Sequence, residues 1–168
     1  MLIRYLTVLL ILSITACGFH LRGMMPTLQN LENIFISTPN EAKYLRLALE
    51  RELKAYNVRI SPTSNQAYYE LIIDNVELQR QVSNISSSTT PRQYQLIYKV
   101  YFHVIDNKQS HTIIPAGKLT ANRLVTMNNE RLLGSNYEQD FFVKEMQEEL
   151  ARQILTSIVD YHDKALRT

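Results

Sequence analysis

Between Arg92 and Asp106 every second residue is apolar or aromatic: Tyr94, Leu96, Tyr98, Val100, Phe102 and Val104. A period of two is that of a β-strand, whose side chains point alternately to opposite faces. This face must be covered. The other one carries Gln93, Gln95, Ile97, Lys99, Tyr101 and His103. It is amphipathic, the pattern of a sheet surface left open to water or to a ligand. The same reading places a short strand at Asn33–Ser37 and another at Val58–Ile60. A long strand follows within Ala67–Ile85. In it the apolar phase runs Tyr69, Leu71, Ile73 and then shifts to Val76, Leu78, which predicts a bulge near Asp74–Asn75. A further strand spans His111–Met127, with Pro115 confining its start to an edge or a bulge.

Two segments switch to a helical period. From about Pro39 to Tyr56 the apolar positions are Ala42, Leu45, Leu49, Leu53 and Tyr56, preceded by Thr38, Pro39 and Glu41 as a helix-start signature. Near the C-terminus the stripe is Val143, Met146, Leu150, Ile154, Ile158 and Tyr161. Ser135 with Glu138, or Asn136 with Gln139, can form a capping box at its start. The order strand, helix, several long strands, helix defines an α+β fold. The expected architecture is a two-layer sandwich. A mostly antiparallel or mixed sheet of four to five strands carries both helices on one face.

The N-terminus follows different rules. Arg4 precedes the apolar run Leu6–Ile14, about half the ~20 residues a spanning helix needs. Thr15 and Ala16 supply small residues before a cleavage point, so residues 1–16 read as a signal peptide. Cys17 is the single cysteine and so has no intramolecular disulfide partner. Ile14-Thr15-Ala16-Cys17 resembles a bacterial lipobox. That resemblance implies an S-diacylglycerol on Cys17, cleavage just before it and acylation of the new amino group. By resemblance to enterobacterial lipoproteins, Gly18 rather than Asp after the cysteine implies export to the outer membrane. Residues 17–31 then form a lipidated, extended leader, and 32–168 a single domain.

Composition narrows the function classes. The chain has 18 basic and 16 acidic residues, and loss of Arg4 leaves 17 against 16, which gives no reason to propose nucleic acid as a partner. The charge is unevenly placed. Residues 80–131 hold Arg80, Arg92, Lys99, Lys108, Lys118, Arg123 and Arg131 against Asp106 and Glu130, a net +5. Such a local field attracts anionic ligands. No catalytic motif stands out, so the expectation is a protein that is not an enzyme and needs no cofactor. His20, His103, His111 and His162 show no metal-like spacing. Ser86–Ser88 lacks the glycines of a nucleophile elbow and belongs to a polar Ser83–Pro91 connection.

Three stretches carry a resemblance: "CGFHLRG" at Cys17–Gly23, "QYQLIYKV" at Gln93–Val100 and "NYEQDFFVKEM" at Asn136–Met146. Together they resemble LptE, the lipopolysaccharide-assembly lipoprotein family, over nearly the whole mature chain. The resemblance implies a lipoprotein at the periplasmic face of the outer membrane of a Gram-negative bacterium. It implies a plug within the LptD β-barrel that helps that barrel assemble and binds lipopolysaccharide. Lipid A and core sugars present phosphates and carboxylates, which Arg and Lys bind by charge-assisted hydrogen bonds. The candidate contacts are Arg92, Arg131, Lys99, Arg123, Lys118 and Arg80. The family's basic residue before the last helix falls near Ser135, with Arg131 the nearest substitute. Its basic loop residue falls near Ser87, with Arg92 the nearest. Two rivals remain: a stand-alone periplasmic lipid or ligand carrier tethered by Cys17, and a lipoprotein hydrolase.

Overall fold

The computed structural model describes residues 31–84, 92–127 and 132–165. The signal peptide, Cys17 and the leader up to residue 30 lie outside them, as do residues 85–91 of the polar connection. β1 (Asn33–Ser37) buries Ile34 and Ile36 and exposes their neighbours in part, as alternation requires. The chain then turns through a 3-10 segment, Asn40–Ala42, into α1 (Lys43–Ala55). The expected side-chain cap is replaced: the Ala42 N–H bonds the Pro39 carbonyl at 3.0 Å, and no side chain caps the helix start. The predicted stripe is the buried one, with Leu45, Leu49 and Leu53 inside.

α1 ends in a Schellman turn. Val58 N–H bonds the Leu53 carbonyl and Asn57 N–H that of Lys54, each at 3.0 Å, with Asn57 at φ 60°. β2 (Arg59–Ile60) pairs parallel with β1. The connection to β3 (Tyr69–Asn84) is pinned by amides. Asn33 donates to the Gln66 carbonyl (2.7 Å) and accepts from the Tyr68 N–H (2.6 Å). Asn107 donates to the Ser64 and Ala67 carbonyls.

β3 runs parallel to β1, then antiparallel to β4 (Arg92–Asp106), which pairs antiparallel with β5 (His111–Met127). The sheet order is β2-β1-β3-β4-β5. In β3 the register passes from Ile73–Phe102 to Asn75–Tyr101, so Asp74 is the bulged residue that the phase shift predicts. Pro115 sits both on an edge strand and in an irregular stretch, between the pairs Val104–Ile114 and Phe102–Gly117.

α2 (Leu132–Ala165) starts a turn earlier than either capping box, which places Ser135 and Asn136 inside the helix. A capping box favours a boundary but does not forbid helix upstream of it, and the two leucines there are good helix formers. Met146, Leu150, Ile154 and Ile158 are buried as expected, joined by Ala151 and Leu155, whereas Tyr161 is exposed. α2 packs on β4, β5 and α1. Arg123 on β5 meets Glu149 at 2.7 Å, and Arg51 on α1 meets Glu148 at 2.9 Å. The α+β architecture is therefore as expected: a five-stranded mixed sheet with one face open.

Candidate functional site

The register builds the open face row by row. Asn75, Tyr101 and Lys118 lie abreast on β3, β4 and β5, followed by Glu77, Lys99 and Thr120, then Gln79, Ile97 and Asn122, then Gln81, Gln95 and Leu124. The face is polar but not uniformly charged. Lys99 donates to Gln79 at 3.1 Å and lies 3.9 Å from Glu77, so its charge is partly answered. Lys118 is exposed, and among the described residues no acidic side chain pairs with it. It sits diagonally across from Lys99, at a backbone separation of about 7–8 Å in a regular sheet. The Lys99 ammonium is turned the other way, toward β3.

The other candidates go elsewhere. Arg80 and Arg123 share the helix-side phase of their strands. Arg80 lies over the Tyr94 ring, 5.7 Å from its centre, a cation–π contact. Arg123 donates to Glu149 and to the Asn122 carbonyl, so it ties α2 to β5. Arg92 opens β4 opposite Met127. Arg131 and Cys17 lie outside the described residues. The register thus puts Lys99 and Lys118 on one face and Arg80 and Arg123 on the other. A signal for this was present: Arg123 shares its phase with Leu119, Ala121 and Val125, and Arg80 shares its own with Val76, Leu78 and Val82.

His103 has a carboxylate partner: its Nδ1 lies 2.9 Å from Asp74 Oδ2, at the bulge. Separation of every histidine from carboxylates, the simplest argument against a hydrolase, therefore does not hold. Among the described residues no hydroxyl hydrogen-bonds to this pair, and no three potential metal ligands cluster.

A cleft that the periodicity did not flag opens between α1 and the first half of α2. Its volume is about 410 Å³, and Tyr44, Tyr137, Phe141, Val143 and Lys144 line it. At its base Gln147 donates to the buried Tyr98 hydroxyl at 3.0 Å. Tyr44, Tyr137 and Phe141 all fall outside the core stripes of their helices, and that misfit is the signal a sequence reading can use.

Burial pushes the Tyr98 phenol above the ordinary tyrosine range, partly offset by the Gln147 hydrogen bond. Burial, with Asp106 and Glu32 behind it, also raises Tyr69. The unfolded chain therefore releases these protons before the native state does. Their contribution to stability is complete below about pH 10 and is lost as pH rises from there through the folded values. Urea unfolding is expected to show stability falling above about pH 10. Tyr98→Phe should make that fall shallower while costing about 1 kcal/mol at neutral pH, because it orphans the Gln147 amide. An unchanged alkaline slope would remove Tyr98 from the account.

The molecule is an open-faced α+β domain, with helices on one side and a polar three-strand surface on the other. The chain belongs to the LptE family, described as lipopolysaccharide-assembly, whose family model matches residues 31–158. The fold is similar to that of rare lipoprotein B from Shewanella oneidensis, at TM-score 0.68 and 23% identity over 82% of this chain and 100% of that one. It is also similar to lipoprotein B from Nitrosomonas europaea (TM-score 0.70, 20% identity, 89% and 96% covered). A minor lipoprotein from Acinetobacter baumannii matches at TM-score 0.64 and 22% identity, with 79% and 93% covered. No curated protein matches the sequence. Among the described residues no helix is long and apolar enough to cross a membrane.

Proposed function

We propose that this protein is a lipid-anchored, non-catalytic subunit that sits as a plug within an LptD-type outer-membrane β-barrel and assists delivery of lipopolysaccharide to the outer leaflet. Family membership carries the lipopolysaccharide-assembly part of this reading. The open sheet face supports the plug. A wide barrel has a polar, wet lumen, and a face of Asn, Gln, Tyr, Thr and Lys suits such a surface better than an apolar one. Residues 1–16 are the removed signal, Cys17 the acylated residue, 17–31 the leader and 32–168 the domain. The barrel is assisted in its own assembly, and anionic lipopolysaccharide groups meet Lys99, Lys118, Arg92 and Arg131.

Extraction of outer membranes in mild detergent is expected to recover the protein with a large β-barrel, and its depletion to leave that barrel misassembled. A barrel that forms and works normally without it ends this reading. Replacing Arg92 and Arg131 together with Glu is expected to weaken lipopolysaccharide capture at low salt about tenfold while barrel recovery is retained. That is the loss of about 1.4 kcal/mol, within reach of two charge-assisted contacts. Unchanged capture would exclude both arginines. The cleft at Tyr44 and Phe141 is the one feature that favours a stand-alone carrier, and for that reading the protein would be recovered without a barrel.

A further inference from the structure

We propose that the unpaired half of β3 is a docking edge, to which an extended segment of the partner barrel adds as a further strand. The inference rests on the barrel partnership proposed above and goes beyond it by naming the surface and the mode of contact. β1 pairs with β3 only as far as Ser37–Ile72. From Asn75 to Asn84, β3 is bonded to β4 on one side, and among the described residues no strand occupies the other. Ten residues at about 3.3 Å each make an edge of about 33 Å. Along it, alternate backbone N–H and C=O groups point outward without a ladder partner, the arrangement that templates another strand.

The opposite edge differs. β5 carries Pro115, an irregular register around it and the exposed Lys118, three devices that discourage strand addition. α2 also packs along it, fastened by Arg123 and Glu149. The free half of β3 has no proline and no lysine, and its register is regular from Asn75 to Val82. Its helix-side phase displays Leu78, 45% exposed, and Val82, 53% exposed. Arg80 stands between them over Tyr94, with no acidic partner among the described residues.

These residues specify the occupant. An added strand would place an apolar side chain beside Val82, an acidic one beside Arg80 and an apolar one beside Leu78. Its opposite phase would be polar or basic, to meet Gln81, Gln79 and Glu77. A second copy of this chain does not fit. In a two-fold antiparallel pairing of β3 with itself, Arg80 faces Val76, Leu78, Arg80 or Val82, none of them acidic. The loops of a β-barrel, whose backbone the closed wall does not pair, are a source of extended chain that can carry the complementary pattern.

The test uses the full-length protein expressed with its partner in the native envelope. A photo-reactive side chain is placed at position 78, at position 82 or, on α1 and away from both the open face and this edge, at position 47, where the native Leu47 is 46% exposed. Cross-links to the barrel are expected from 78 and 82 and not from 47. The double variant Leu78→Lys with Val82→Lys is expected to lower barrel recovery at least tenfold, with a melting midpoint within a few degrees of wild type. Leu47→Lys should recover the barrel fully. Arg80→Glu, a change at an exposed position, should lower recovery several-fold and serves if the double variant misfolds. Cross-links that run to a second copy or back to this chain would overturn the proposal. So would wild-type recovery from the Lys and Glu variants. Failure of wild type itself to bring down a barrel would overturn the partnership on which the proposal stands, and is thereby distinguished from failure at the edge alone.

Discussion

Leu150→Ala is expected to cost about 3–4 kcal/mol of folding stability. Leu150 is fully buried on the turn of α2 between Met146 and Ile154, both also fully buried. Truncation removes the transfer free energy of the lost methyl groups and leaves a cavity, and the total depends on how far the site can collapse. Here collapse is opposed. Glu149, the preceding residue, is held by Arg123 of β5 at 2.7 Å, and Glu148 by Arg51 of α1 at 2.9 Å. α2 is thus fastened to both its neighbours within one turn of the cavity. Urea unfolding should show a lower midpoint with an unchanged slope, and the melting temperature should fall by roughly 10 °C. As a contrast, Arg152→Ala removes an exposed contact to Glu52 at 3.5 Å and should cost under about 1 kcal/mol. A loss below about 1 kcal/mol for Leu150→Ala would show that α2 does not pack on the sheet as described.

Cys17→Ala is expected to abolish lipid attachment and leave the fold intact. Each buried CH₂ of an acyl chain is worth about 0.8 kcal/mol, and stable anchoring takes two or more chains. Losing the thiol loses the diacylglycerol, and with it the new amino group that a further chain would occupy. The measurement is made on protein purified away from any barrel, because a barrel would itself hold the protein in the membrane. Wild type should incorporate labelled palmitate and enter the detergent-rich phase on phase separation. The variant should take up no label and, left uncleaved, run larger by residues 1–16, with its domain folded as judged by circular dichroism. Label retained by Cys17→Ala would end the lipidation proposal.

Most of the elements were legible because they depend on neighbours in sequence. The alternation of β4 and the stripes of both helices name their own buried residues. The phase shift from Ile73 to Val76 names the bulge at Asp74, since an extra residue is what restores one face to an alternating chain. Helix starts were less legible. Thr38 and Ser135 are good capping residues, but the chain turned through a 3-10 segment at one helix and began earlier at the other. A cap adds about 1 kcal/mol to a boundary that tertiary packing can move. The candidate site was legible in kind and not in arrangement. Six of the seven cations in one segment were candidates for one basic surface, whereas the register puts Arg80 and Arg123 on the phase opposite to Lys99 and Lys118.

The sequence by itself determined which side chains of each segment share a face and which two segments are helical. These are consequences of backbone periods of 2.0 and 3.6 residues. Only the tertiary structure decided that β1 lies between β2 and β3, that Lys99 and Lys118 share the open face, and that β3 outruns β1 and has no strand on that side among the described residues. Strand order and register are set by contacts between distant residues, through the total apolar area they bury and the ladder bonds they complete. Neither quantity is written in any one stretch of chain.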